Sequence, residues 1–245
     1  MKNRYFVQLS FKGTNYAGWQ IQPGKTTVQE VLNSSLSILL RDDIRTTGAG
    51  RTDTGVHAEF FAAHFDTSAK EIDADFIYRL NGILPIDIAV QKIYTVNHSS
   101  HSRFNAVSRT YEYRICRKKN PFYYGLAYYF FNPLDITLMN EACNILMKYN
   151  DFTSFSKLHG NAKNNLCKIY HAGWTEAGDL LVFTIKADRF LRNMVRAITG
   201  TMLDLGKGKT NIDHFRNIIE AKNRCAAGIS VPAEGLFLVD IEYPF

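Results

Sequence analysis

The chain has 245 residues, 46% hydrophobic and 21% charged, which excludes a disordered polypeptide because enough apolar surface is available to offset the entropy of ordering. Lys and Arg outnumber Asp and Glu by 29 to 23, giving a net charge of +6, a balance compatible with an acidic partner but not sufficient to demand one. No run of 18 apolar residues occurs, and the N-terminal segment MKNRYFVQLSFKG lacks the apolar core of a secretory signal, so the chain reads as soluble and cytoplasmic.

The four cysteines, Cys116, Cys143, Cys167 and Cys225, form no CxxC pair and suit a reducing compartment. His98 and His101 have no cysteine or carboxylate companions at ligand spacing and read as loop residues, so no metal site is expected. Aromatic content is 13%. Such rings serve either sheet cores or the stacking of unpaired bases, and composition alone does not choose between them.

In chain order, Tyr5–Phe11 alternates and predicts a strand. A turn-rich loop, Gly13–Gly18, follows. Thr27–Leu40 carries Val28, Val31, Leu32, Leu36 and Leu39 at helical spacing, with Thr27 and Glu30 placed as a capping box. Residues 48–57, GAGRTDTGVH, hold three glycines in ten positions, which rules out a regular helix or central strand. Ala58–Phe65 reads as a strand, Asp73–Leu84 as a helix ending before Pro85, and Ile88–Val96 as a strand. Next come a strand at Arg109–Ile115 and a helix at Pro133–Met147. Leu166–Trp174 and Leu180–Ala187 form a hairpin, followed by helices at Phe190–Leu205 and Ile212–Lys222 and a closing strand at Leu236–Ile241. The halves share an expected order of strand, helix, strand, helix, strand. A boundary near Phe104–Ser108 divides 1–105 from 106–245. Hairpins mixed with helical crossovers predict an α+β fold rather than a doubly wound sheet.

The segment Gly50-Arg51-Thr52-Asp53-Thr54-Gly55 places a carboxylate in a polar turn beside a cation. Glycines permit close approach of the backbone to a ligand, and a nearby arginine favours the ionised carboxylate that a nucleophile requires. An aspartate that merely caps a turn fits the same residues. Glu59 and Asp66 are candidates for a second carboxylate. No P-loop, G-x-S-x-G elbow or H-E-x-x-H motif is present. Arg189, Arg192 and Arg196 fall at i, i+3 and i+7 of the expected helix 190–205, with Lys207 and Lys209 beyond it. That stripe is either solvated surface or a contact for phosphate.

GAGRTDTGVHA at 48–58 resembles the signature of the TruA family of tRNA pseudouridine synthases. YFVQLSFKGTNYAGWQIQPGKTTVQEVL near the start, SRFNAVSRTYEYRI at 102–115, FLRNMVRAITGTMLDLGKGK at 190–209 and the closing PAEGLFLVDIEY are similar to further motifs of that family, in the same order. Thr54 departs from the alanine common there. The resemblance implies a pseudouridine synthase fold: two similar α/β halves with mixed, mainly antiparallel sheets joined into one extended sheet flanked by helices. It also implies a cofactor-free isomerase that acts as a homodimer on uridines 38, 39 and 40 of the tRNA anticodon stem-loop. By position, Asp53 matches the nucleophile, Tyr111 the ring that stacks on the target base, Arg51 the residue that handles the flipped nucleotide, and Arg196 the cation that pairs with the aspartate. Two other functions remain compatible with the residues alone, an RNA-binding pair of RRM-like domains and a metal-independent nucleoside or glycoside hydrolase. The first lacks an RNP1-type run, and the second leaves the basic balance without a purpose.

Overall fold

The computed structural model describes residues 2–68, 72–157 and 164–244. By packing, the chain divides into two compact units, residues 1–107 with 238–245 and residues 108–237. Both are α+β.

The first unit is built on β1 (Asn3–Phe11), which pairs antiparallel with β3 (His57–Thr67) on one side and β4 (Ile88–Val96) on the other. A two-residue strand, β2 (Thr47–Gly48), also pairs with β3, and β9 (Leu236–Glu242) lies beside β3. Period-two alternation in β1 places Tyr5, Val7 and Leu9 opposite Phe65, Ala63 and Phe61 of β3, so that large rings line one face. On the other face Phe6 stacks near His64, with centroids 6.0 Å apart, and meets the Tyr243 ring edge-on.

Helix α1 (Val28–Leu40) buries Val28, Leu32 and Leu36, an i, i+4, i+8 stripe. Its N-cap is Thr27, whose Oγ1 accepts from Glu30 N, a cap worth about 1 kcal/mol. Helix α2 spans Phe76–Ile83, shorter than the 73–84 expected; Asp73 and Asp75 accept from Phe76 N and Arg79 N and act at the helix entrance. It ends ahead of Pro85, where the residue before a proline is pushed to extended backbone.

In the second unit β8 (Leu180–Ala187) pairs antiparallel with β5 (Ser108–Cys116) and with β7 (Ile169–Ala177). The β7–β8 turn is the two residues Gly178 and Asp179, with Gly178 at φ 60°. A short strand, β6 (Tyr128–Tyr129), runs parallel to the end of β5, so this sheet is mixed. Helix α3 (Ile136–Leu146) packs on β7 and on α4 (Met194–Gly206), α5 (Ile212–Glu220) packs on α3, and α4 packs on β5. Trp174 stacks on Phe183 at 4.9 Å and donates to Met202 Sδ.

Three expectations are corrected here. The halves do not share one element order, because the β7–β8 hairpin precedes two helices in the second unit. The helix expected from Phe190 begins only at Met194: Asn193 is left-handed, at φ 67°, and breaks the turn before it. Helix α3 similarly starts at Ile136, where Asp135 accepts from Leu138 N, rather than at Pro133. No helix among the described residues is long and apolar enough to cross a membrane.

His64 lies buried in the first unit, its Nδ1 accepting from Ser102 N at 3.2 Å while Ser102 Oγ donates to Thr47 O. Burial, helped by Arg4 and His101, pushes its pKa from 6.5 down to about 4. A neutral histidine with a depressed folded pKa stabilises fully above the unfolded value and loses that contribution as pH falls through the folded one. The urea midpoint should therefore be level above pH 6.5 and decline between there and about pH 4. In His64→Gln, which keeps an acceptor but cannot titrate, part of that decline should vanish. An unchanged pH profile in the variant would contradict this role.

Candidate active site

Asp53 stands on the loop between β2 and β3, and the local backbone explains its presentation. Val56 N donates to Asp53 O at 3.2 Å, closing a four-residue turn with Gly55 at φ 80°, the signature of a type II turn with glycine at its third position. Thr54 occupies the second position and is exposed, so threonine in place of the family's alanine leaves the turn unchanged.

The turn is held by the segment 12–20. Gly55 N donates to Tyr16 O, and Trp19 N donates to Thr52 Oγ1 at 3.0 Å. Gly13 N donates to Nδ1 of His57, a buried residue at the start of β3. Two glycines make the approach possible: a Cβ on Gly18 would overlap Thr52 O, and one on Gly13 would overlap Val56 O. Gly18 also sits at φ 86°, where a side chain is strained. Trp19 stacks on Phe61 of β3 at 4.2 Å and fills the space over Gly48. Tyr16 anchors the far side of the segment, its hydroxyl donating to Asp87 Oδ1 at 2.5 Å. Burial and this carboxylate raise the phenol's pKa above the ordinary tyrosine value.

The same segment closes the start of α1. Val28 N donates to Gly18 O and Gln29 N to Trp19 O, so two of the helix's unpaired donors are satisfied by the loop that holds the Asp53 turn. Sequence reasoning read Gly13–Gly18 only as a turn-rich loop. The available signal was the pair of glycines flanking an aromatic immediately before a capped helix.

Arg51 shares the Asp53 loop, and its Nε donates to Gln20 Oε1 at 2.7 Å, so the exposed guanidinium is oriented by the same supporting segment. Of the candidate second carboxylates, Asp66 forms a two-pronged pair with Arg4, both contacts at 2.7 Å, and the pair lowers the Asp66 pKa; it holds the β1–β3 ladder at its far end. Glu59 is exposed on β3.

Tyr111 and Arg196 belong to the second unit. Tyr111 is half-buried on β5 opposite Ile185, its ring edge-on to Phe190 at 5.1 Å and 87°. Arg196 is half-buried in the first turn of α4 and exchanges two bonds with Val231: Arg196 Nε donates to Val231 O at 2.8 Å, and Val231 N to Arg196 O. The segment carrying Val231 is seated on α4 by further contacts. Gly228 N donates to Thr201 Oγ1, Asn193 Nδ2 to Ser230 Oγ, and a Cβ on Gly200 would overlap Ile229 O. Because α4 begins at Met194, the expected helical stripe of three arginines does not exist. Arg189 precedes the helix and donates to Asn164 Oδ1, and Arg192 is exposed in the turn before it. Lys207 Nζ lies 2.7 Å from Asp204 Oδ1.

Comparison with known proteins identifies the family. A family model described as tRNA pseudouridine synthase matches residues 142–244. A Parabacteroides distasonis protein named tRNA pseudouridine synthase A is 55% identical over 98% of this chain and 96% of its own length. The chain belongs to the TruA family of tRNA pseudouridine synthases. Proteins of the same name from Bacteroides fragilis, 53% identical over 98% of this chain and 96% of the relative, and from Bacillus subtilis, 40% over 96% and 97%, extend the agreement. Membership makes the chain an isomerase.

Gly18→Ala should push the Asp53 loop away from the segment 12–20. A shift on the order of 1 Å lowers turnover by about 100-fold, so kcat should fall steeply while far-UV circular dichroism stays native. Gly82→Ala on α2, where open space surrounds the added methyl, should leave kcat intact. Full activity in Gly18→Ala would show that the clamp does not position the site.

Proposed function

We propose that this chain converts uridine to pseudouridine at positions 38, 39 and 40 of the tRNA anticodon stem-loop, with Asp53 as the nucleophile acting on a base flipped out of its stack. The observation that carries the reading is the fixed, half-buried turn that begins at Asp53, with exposed Arg51 on the same loop, held by Gly18, Trp19 and His57, in a chain 55% identical to a tRNA pseudouridine synthase A.

The chemistry is an internal transfer. The bond between N1 of uracil and C1′ of ribose breaks, the ring turns, and C5 joins C1′. C5 then gives up its proton, and N1 gains one. Atoms and electrons balance without an external oxidant or reductant. A carboxylate can form a transient bond to the nucleoside or stabilise a glycal-type intermediate. A base within a stem is out of reach, so it must leave the helix at a cost of a few kcal/mol. Tyr111 stacks on the flipped uracil, recovering about 1–3 kcal/mol. Arg51 handles the flipped nucleotide, and Arg196 pairs with Asp53. The chain works as a homodimer in the cytoplasm.

Asp53→Asn should abolish tritium release from tRNA carrying 5-tritiated uridine while tRNA affinity stays within a few-fold of the parent. Substantial residual release sinks the nucleophile assignment. Affinity for tRNA should also fall steeply and linearly on a log–log plot against salt, as the release of counterions from several phosphates requires. A flat plot is incompatible with a backbone-tracking surface.

A further inference from the structure

The segment 117–132, RKKNPFYYGLAYYFFN, has no part in the site described above, yet it is the most aromatic stretch of the chain. It holds seven rings and three cations, Arg117, Lys118 and Lys119, with no Asp or Glu. Four of the rings face solvent: Phe122 is 86% exposed, Tyr124 88%, Phe131 70% and Tyr129 49%.

These rings are not on a loose strap. Arg117 closes the segment on itself, its guanidinium donating to Asn132 O at 3.1 Å. Asn120 caps the 3-10 turn at Pro121–Tyr123 by accepting from Phe122 N. Phe130 N donates to Cys116 O, and Tyr128–Tyr129 pair with the end of β5. Alternation along 128–131 sends Tyr128 toward Tyr113, at 6.5 Å, and leaves Tyr129 and Phe131 as an outward pair with centroids 5.9 Å apart. Lys207 Nζ lies 5.6 Å from the Phe130 ring, and Asp135 N donates to Gly206 O. The loop 206–211 thus packs against the Phe130 side of the segment, beside an open cavity lined by Gly208, Lys209, Thr210, Asn211 and His214.

We propose that this segment is an RNA-stacking platform that grips tRNA away from the reacting uridine, its rings taking unpaired bases and its cations the adjoining phosphates. Exposed rings on a hydrogen-bonded backbone leave apolar area in water, which only a partner relieves. The charge indicates which partner. A second copy seated on this patch through a two-fold axis would present the same segment in return, which holds three cations and no acid to answer them. Polyanionic RNA answers the cations, and base faces suit the rings regardless of sequence. The proposal rests on the family's action on tRNA but not on the identity of the nucleophile.

The test is equilibrium binding of tRNA transcript to the full chain, read beside single-turnover isomerisation at saturating tRNA. Removing the rings in Phe122→Ala/Tyr124→Ala and in Phe131→Ala should raise the Kd roughly 5-fold or more for each lost stack with the saturating rate unchanged. Tyr124→Phe, which keeps the ring, should bind like the parent. Lys118→Ala/Lys119→Ala should raise the Kd and flatten its salt dependence. A benzophenone amino acid at position 124 should crosslink to tRNA. Crosslinking chain to chain instead would assign the face to a protein interface and overturn the proposal, as would an unchanged Kd in the ring-free variants. Because binding is read without turnover, and Asp53→Asn can serve as the host protein, failure of the platform is distinguishable from failure of the nucleophile assignment.

Discussion

The first unit depends on one backbone-to-backbone contact, the approach of Gly13–Trp19 to Thr52–Val56. It is close enough that a single methyl group at Gly18 or Gly13 would collide with a carbonyl oxygen. Around it three otherwise separate features become one assembly. The Asp53 turn is tied through Gly55 N and Thr52 Oγ1, strand β3 begins with His57 accepting from Gly13, and α1 begins with its donors on Gly18 and Trp19. A carboxylate on an isolated loop would sample many positions. Here the loop can move only if a helix terminus and a strand terminus move with it, and both are seated in a core of buried rings.

The second unit uses the same strategy with a helix. Arg196 is held not by an acidic neighbour on its own helix but by the carbonyl of Val231, in a segment that Thr201, Asn193 and Gly200 seat on α4. Tyr111 is held by its strand register and by the edge of Phe190.

How much of this could be read from residues alone varied with the range of the interaction. Period-two alternation located β1 and β5 to within two residues, because strand faces are imprinted directly on sequence. The Thr27 cap was legible for the same reason, as its partner is three residues away. The start of α4 was not. Phe190 and Leu191 continue the apolar pattern of the helix, but Asn193 adopts left-handed backbone and bonds through its side chain to Ser230, 37 residues further on. No local pattern encodes that partner, and the apparent stripe of three arginines dissolved with the lost turn. The same limit concealed the clamp around Asp53, whose glycines look like ordinary turn residues until the carbonyls of Thr52 and Val56 are placed against them.

The Arg196–Val231 exchange also accounts for why arginine suits that position. A planar guanidinium carries five donors in a fixed fork. Committing Nε to a backbone carbonyl at 2.8 Å sets the plane of the whole group and hence the direction of its remaining donors. Lysine has one compact ammonium on a flexible stem, so satisfying the same carbonyl would commit its whole charge there. The helix start contributes to this economy. With Asn193 ending the preceding turn, Arg196 falls in the first turn of α4, where the helix dipole adds positive potential and favours an anion brought to that end.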